Sequence, residues 1–342
     1  MKAVAYSIKP FEKEYLAKAN QKKHDITLIS NSLSIETAVY AEGKDAIIVF
    51  TNDNVSEQVI EKLANFGVRY IVTRSAGTDH IDKNAAAKYN IKLSNVPAYS
   101  PQAIAEQAVA LAFALNRHIV TAVGNSLNFN FRNEDLIGFN FYGKTIGIIG
   151  LGNTGQATAK IFHGIGCRVI GYDITMPESV PYVERVDLDV LYAESDVISL
   201  HLPLLPSTRH IINKDAINLM KTGVMVINTS RGTLLNTADV INALEQKKIG
   251  YLGIDVYEYE KGLFFEDHES DLQKDAVLKT LMAYPNVIVT PHQAYLTKEA
   301  LQEIANQTIK NLDLWQSNKC VGNACICAAN CRAKEKEAIL DK

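Results

Sequence analysis

Short apolar runs alternate along this chain with longer stretches in which apolar residues recur every three or four positions. The runs predict strands near Ala3 to Ile8, Asp25 to Ser30, Ala46 to Phe50, Tyr70 to Thr73 and Ile91 to Leu93, and SEQVIEKLANFG, stopped by Gly67, predicts a helix. This is the rhythm of a small parallel α/β domain. Pro97 and Pro101 punctuate SNVPAYSP, and Ser100 followed by Pro101 suits a helix start. The helix runs to about Arg117 with Ile104, Ala108, Leu111, Ala112 and Leu115 on one stripe. From Thr121 to Gly143 there is no clean period, which predicts a long irregular connection.

The rhythm then resumes. A run from Ile146 to Ile149 predicts a buried strand, residues 154 to 165 a helix with Ala157, Ile161, Phe162 and Ile165 on one face, and Cys167 to Ile170 a second strand ending at Tyr172-Asp173. Further strands are expected near Val197 to Leu200, Val224 to Asn228, Gly253 to Val256 and Val287 to Thr290. Lys298 to Trp315 is an amphipathic helix, read as returning to the first domain. In open parallel sheets ligands bind beyond the carboxyl ends of strands. That singles out Phe50-Thr51-Asn52, Arg74 to Thr78, His201-Leu202-Pro203, Thr229 to Gly232, Asp255 and Pro291-His292.

Between the strand ending at Ile149 and the helix that follows stand Gly150, Gly152 and Gly155, a G-x-G-x-x-G. The first glycine permits a tight turn, the second a close backbone approach to a pyrophosphate, and the third the packing of helix on strand. Phosphates then meet the unpaired N–H groups of a helix start. Asp173, eighteen positions after Gly155, stands where a carboxylate accepts ribose hydroxyls and repels a 2′-phosphate. No arginine follows in Ile174 to Pro177, so the expected cofactor is NAD rather than NADP. The same glycines also read as a plain turn when taken alone.

A total of 342 residues suits two domains, and 47% hydrophobic content gives each a core. With 35 Lys+Arg against 38 Asp+Glu there is no field to hold nucleic acid or an anionic membrane. No run reaches the length of a membrane span and MKAVAYSIKPFEKEY reads as a first strand, so a cytoplasmic protein is expected. Moving a hydride between nicotinamide and a carbonyl requires a proton donor and a cation for an acidic substrate. His292 is the candidate acid, because imidazole exchanges protons near neutrality. Glu260 and Asp255 are both placed to orient it, and Arg231 offers a planar fork for a carboxylate. By spacing alone each also reads as an ordinary loop residue, as does Gly77, which suits either a carboxylate contact or a simple turn. His201 closes a strand and is a candidate cofactor contact.

SNVPAYSP, GLGNTG with Asp173, HLPLLPST, NTSRG, GIDVYEYE and TPH, in that order, resemble the D-isomer-specific 2-hydroxyacid dehydrogenases over residues 1 to about 316. The resemblance implies two Rossmann/flavodoxin-like parallel-sheet domains with an interdomain cleft: a discontinuous substrate domain, 1–99 plus 296–342, and an NAD-binding domain, 100–295. It implies that Arg231 binds and polarises a 2-keto acid, that His292 is the acid/base and that Glu260 pairs with it. Cofactor contacts are implied at Asn153, Thr154, Asp173, Leu202, Pro203, Thr208, Thr229, Ser230, Arg231 and Asp255, beside Gly150, Gly152, Gly155 and His201. Phe50, Tyr99 and Tyr295 match positions that wall the substrate side chain, with Ala76 and Gly77 beside them. A homodimer is implied too. The insertion GLFFEDHES puts His292 thirty-two positions after Glu260, similar to the lactate and hydroxyisocaproate group, so pyruvate reduced to D-lactate is expected. Phe50 departs from the tyrosine expected there, which leaves bulkier acids such as 2-ketoisocaproate or phenylpyruvate as the alternative. An NAD-sensing scaffold, resembled by the C-terminal-binding corepressors, is the other.

The tail departs from the family. Cys320, Cys325, Cys327 and Cys331 lack the paired C-x2-C spacing of common zinc or iron–sulfur sites. The expectation is no metal and a mobile end, with KEKEAILDK as a solvated helix, while Cys167 is read as core.

Overall fold

The computed structural model describes residues 1–175 and 180–327. The chain divides into two compact units, one formed by residues 1–100 together with the segment from Thr297 onward, the other by Pro101–Leu296. Both are α/β units on parallel sheets.

The first unit carries β1 (Lys2–Ala5), β2 (Asp25–Leu28), β3 (Ala46–Val49), β4 (Tyr70–Thr73) and β5 (Lys92–Ser94), in the order β2-β1-β3-β4-β5. Side chains alternate between its faces, as strand geometry requires. Val4, Ile47, Val49 and Ile71 meet α2 (Glu57–Asn65) and α3 (Lys83–Lys88) through Val59, Ile60, Leu63 and Ala85. Ala3, Ala5, Ile48 and Val72 share the opposite core with Leu16 of α1 (Glu12–Asn20).

In the second unit α4 (Pro101–Asn116) is followed by α5 (Ile119–Leu127). A helix thus occupies the start of the segment expected to be irregular. None of its residues is buried; it is only nine residues long, and the stretch of Asn and Phe residues that follows ends its pattern after little more than two turns. Seven parallel strands follow: β6 (Thr145–Ile149), β7 (Arg168–Tyr172), β8 (Glu184–Arg185), β9 (Val197–Leu200), β10 (Val224–Asn228), β11 (Ile249–Ile254) and β12 (Val287–Val289). Their order, β12-β11-β10-β9-β6-β7-β8, reverses direction between β6 and β9, the crevice where doubly wound sheets take dinucleotides. The strand expected at Gly253 to Val256 begins earlier, because β10 pairs with it from Ile249. On one face α4 and α6 (Asn153–Gly164) supply Leu111, Leu115, Ala159 and Phe162 against Ile146, Ile148, Met225 and Ile227. The other face packs α7 (Leu188–Glu194), α8 (Lys214–Leu219), α9 (Thr237–Glu245) and α10 (Ala276–Met282) through residues such as Leu191, Ile217, Val240 and Leu281.

The closing helix, α11 (Lys298–Gln316), belongs to the first unit. Ala305, Ile309, Leu312 and Trp315 complete the core shared with α1, and Trp315 stacks on Tyr70 at 4.9 Å. The chain beyond it is packed as far as it is described, contrary to the expectation of a mobile end. Cys325 is buried and pairs antiparallel with Ser94, Asn95 N donates to Ala324 O at 3.0 Å, and Ile326 N donates to Leu93 O at 3.2 Å. The Cys327 sulfur accepts from Leu93 N at 3.2 Å. Apolar Val321, Ala324 and Cys325 have joined the core, a gain that outweighs the entropy of a frayed terminus. Cys331 and the expected KEKEAILDK helix lie outside the described residues. Cys167 is core, and burial raises its thiol to about 11.

Candidate active site

The second unit gathers chemistry at the carboxyl ends of its strands. β6 is buried along its whole length and delivers the chain into Gly150 at φ +96°. A Cβ on Gly150 would stand 2.3 Å from the carbonyl oxygen of His201, and one on Gly155 1.9 Å from that of Gly150. Gly152, at the start of α6, has open space where its Cβ would be. The outer two glycines therefore serve the turn and the packing, and the middle one leaves a cradle for a bulky anion. Asn153 and Thr154 form the first turn of α6. Asp173, just beyond β7, takes Leu151 N on one oxygen at 2.7 Å and Thr175 N on the other at 2.9 Å. Its carboxylate is thus pinned to the glycine turn.

Across the switch point, β9 ends at His201. One ring nitrogen lies 2.9 Å from Ser199 Oγ, while Nδ1 is buried without a partner among the described residues. Burial pushes this imidazole down to about 3, so it is neutral near pH 7. Leu202 lies against Gly150, and Thr208 staples the following turn by donating to Pro203 O at 2.7 Å and accepting from Leu205 N at 2.8 Å. An open cradle at Gly152, an orphaned nitrogen at His201 and an orphaned hydroxyl at Thr229 all fit a dinucleotide with polar groups at both ends.

β10 ends in a stapled turn. Buried Asn228 accepts from Ser230 N at 3.0 Å and donates to Arg231 O at 2.8 Å, and Ser230 Oγ donates to Leu200 O at 2.7 Å. Sequence reasoning missed Asn228, whose only signal is its place before Thr229-Ser230-Arg231-Gly232. Arg231 Nη1 donates to Ser230 O at 2.7 Å. Gly232 presses on the next strand's exit: a Cβ there would meet the carbonyl group of Tyr257 at 2.1 Å.

Asp255, which follows β11, does not pair with His292. Its buried carboxylate accepts from Thr290 Oγ1 at 2.5 Å, Gln293 N at 3.0 Å and Ala294 N at 2.8 Å. Burial raises its pKa, and the hydrogen bonds oppose that rise. It therefore grips the chain on either side of His292, by the Thr290 hydroxyl before it and two backbone amides after it, and His292 sits at φ +54°. The partner of His292 is Glu260, whose Oε1 lies 3.1 Å from Nδ1 and whose Oε2 accepts from Tyr257 N at 2.9 Å. With Nδ1 turned to the carboxylate, Nε2 is the ring atom left to exchange a proton. Phe265 tilts against the imidazole at 5.4 Å. Tyr295, three residues on, is buried.

The residues expected around the substrate from the first unit stand at its strand ends. Phe50 follows β3 with the Arg74 guanidinium 5.1 Å from its ring. Arg74 itself is buried against Glu12 and donates to the carbonyl of Tyr6 at 2.8 Å, so its charge is spent inside the unit. Ala76 is exposed and its carbonyl accepts from Asn95 Nδ2 at 2.8 Å, while Ser75 Oγ donates to Gly77 O at 2.7 Å. Tyr99 is half-buried. Among the described residues no group of three or more His, Cys, Asp or Glu side chains is placed to hold a metal, and no helix is long and apolar enough to cross a membrane.

Comparison with known proteins joins this geometry to a family. Residues 109–294 match the model described as D-isomer specific 2-hydroxyacid dehydrogenase, NAD binding domain. The D-lactate dehydrogenase of Escherichia coli is 44% identical over 316 residues, 91% of this chain and 96% of that protein. A solved structure of the pyruvate reductase of Chlamydomonas reinhardtii superposes with a TM-score of 0.89 at 43% identity, covering 94% of this chain and 98% of that one. A D-2-hydroxyisocaproate dehydrogenase structure gives 0.84 at 33% identity, covering 96% and 100%.

Proposed function

Because this chain belongs to the D-isomer specific 2-hydroxyacid dehydrogenases, we propose that it reduces pyruvate to D-lactate with NADH, using His292 as the proton donor. It is an NAD-dependent oxidoreductase of 2-hydroxy acids. NAD supplies or receives the hydride when bound. The observation that carries the reading is the His292–Glu260 pair, held at 3.1 Å in the same unit as the glycine turn.

In the proposed reaction Arg231 holds the keto acid's carboxylate through its planar fork and polarises the adjacent carbonyl. His292 gives its Nε2 proton to the carbonyl oxygen, and Glu260 at Nδ1 stabilises the imidazolium in reverse. Gly152, Asn153 and Thr154 receive the pyrophosphate on the turn that Gly150 and Gly155 make possible, Asp173 receives the adenosine ribose, and His201 to Pro203, Thr208 and Thr229 to Arg231 line the cofactor's other half. Phe50, Ala76, Gly77, Tyr99 and Tyr295 provide the substrate contacts in this reading. Asp255 contributes by fixing the His292 loop.

The proposal includes a homodimer. It is supported by the exposed large apolar side chains on and after α5, Val120, Val123 and Phe131 together with Leu127, 77% exposed, and Phe129, 86% exposed, since a run of exposed apolar residues is the kind of surface that a partner covers. A second copy covers them in this reading. Light scattering of the purified protein tests it: a dimer that Leu127→Glu with Phe129→Glu converts to monomer supports the surface, and a monomeric parent refutes it. Cytoplasmic residence, where an NADH-dependent reductase meets its cofactor pool, belongs to the same proposal.

NADH oxidation against pyruvate, hydroxypyruvate, 2-ketoisocaproate and phenylpyruvate, with NADPH in parallel, tests the function. Fast pyruvate turnover with NADH alone supports it. Preference for the bulky acids favours the second reading, to which the likeness to D-2-hydroxyisocaproate dehydrogenase points. NADH binding without any turnover leaves a nucleotide-sensing scaffold. Arg231→Lys is expected to raise the KM for pyruvate by about 10²-fold, the cost of a lost bidentate contact.

A further inference from the structure

The segments carrying Arg231 and Glu260 meet at a third carboxylate, which the chemistry above does not use. Glu258 is almost fully enclosed, with 5% of its side chain exposed. Its Oε1 lies 2.7 Å from His210 Nε2, and its Oε2 accepts from Thr237 N, at the start of α9, at 3.0 Å. His210 is anchored a second time, since its backbone N–H donates to Thr233 O at 2.9 Å, and it holds a left-handed backbone at φ +52°. An L-residue adopts that conformation at a cost, and does so where the surroundings compel it. The contact of Gly232 with Tyr257 completes the junction: a Cβ at 232 would also stand 2.4 Å from Glu258 N.

We propose that Glu258 is a positioning residue, which sets where Arg231 and Glu260 stand by tying both of their segments to the turn at His210. The coupling runs through the backbone. On one side Glu258 holds Thr237, and through His210 it holds Thr233, so the stretch just after Arg231 is fixed at two points. On the other side its neighbour Tyr257 donates to Glu260 Oε2 at 2.9 Å, which orients the carboxylate that meets His292. The turn on which His210 sits also carries Thr208, the staple of the loop after His201. Burial would raise the Glu258 carboxyl, but the hydrogen bonds from Thr237 and the contact with His210 outweigh it and hold the group below its usual range. It is therefore a charged acceptor under ordinary conditions, and charge-assisted bonds are the stronger kind. Glu258 touches none of Gly150, Gly152 or Asp173 in any described hydrogen bond, so the adenine side of the cofactor site is independent of it.

This inference rests on the reading of Arg231, Glu260 and His292 as the reacting set. Its test compares Glu258→Ala, Glu258→Gln and the parent by steady-state kinetics, NADH binding and amide hydrogen exchange. Misplacing a reacting group by about an ångström costs about 10²-fold, so Glu258→Ala is expected to lose about that in kcat. Its NADH affinity should stay within about threefold, and amides of residues 231–237 and 257–264 should exchange at least about tenfold faster together. Glu258→Gln keeps an acceptor for Thr237 and a hydrogen-bonding partner for His210, and should recover most of the rate. A folded Glu258→Ala protein with kcat within twofold of the parent, or unchanged exchange in residues 257–264, overturns the proposal. Should Glu258→Ala fail to fold, His210→Ala leaves the bond to Thr237 in place and is judged by the same readouts. A parent that turns over no 2-keto acid refutes the proposed function instead, and hydrogen exchange then decides this inference alone.

Discussion

The carboxylate of Asp255 holds the amide of Ala294 at 2.8 Å, and with the Gln293 amide and the Thr290 hydroxyl it closes a ring of hydrogen bonds around His292. His292 is left-handed, at φ +54°, a conformation that costs an L-residue about 1–3 kcal/mol and needs such a grip. Asp255→Asn must turn an amide NH2 toward an N–H donor on at least one side. The expected result is a folded enzyme with kcat lower by about 10²-fold, since the acid is displaced while the cofactor turn is untouched. Steady-state kinetics with circular dichroism checks this, and an unchanged kcat would mean that the loop holds itself.

The glycines at 150 and 152 should fail differently when replaced by alanine. At Gly150 the φ of +96° and the His201 carbonyl at 2.3 Å both oppose a Cβ, so Gly150→Ala is expected to lower stability by about 2 kcal/mol or more. At Gly152 nothing stands within 4 Å. Gly152→Ala should keep the parent's melting temperature and lose NADH affinity by about tenfold or more, because its methyl fills the pyrophosphate's place. Calorimetry and NADH fluorescence titration separate the two.

Stability should fall as pH drops below neutrality through His201. Its folded pKa is about 3, against about 6.5 in the unfolded chain. The unfolded state therefore binds the proton first, and stability is full above 6.5 and declines as pH falls toward 3. Between pH 7 and pH 5 the loss from this group is about 2 kcal/mol. Urea unfolding at both pH values measures it, and His201→Gln should flatten the difference by that amount.

Removal of residues from Cys320 onward should destabilise the first unit. Val321, Ala324 and Cys325 are buried in its core, and Leu93 and Asn95 lose hydrogen bonds to the tail. Lost burial of this kind costs about 3 kcal/mol. A truncated protein that melts with the parent would return the tail to the status of a loose end.

By itself the sequence determined the parallel α/β rhythm, because buried strands are short apolar runs and their helices carry a two-sided pattern. It also determined the glycine turn, since three glycines between a strand and a helix have separate steric uses that no other residue serves. Tertiary structure decided what spacing leaves open. Asp255 and Glu260 follow the same strand and are chemically alike, yet one grips a backbone and the other meets His292. Which carboxylate points where depends on strands far apart in sequence. α5 stayed hidden because it is only nine residues long and runs straight into an irregular stretch of Asn and Phe residues, from which its short pattern does not stand out. The tail's cysteines read as a loose cluster until β5 appeared with an open edge, on which Cys325 and Cys327 settle. Glu258 stands two residues from Glu260 in an acidic stretch, and only the approach of His210 and Thr237 distinguishes it from a solvated charge. Local pattern reports what a residue prefers, whereas its partners are set by long-range packing.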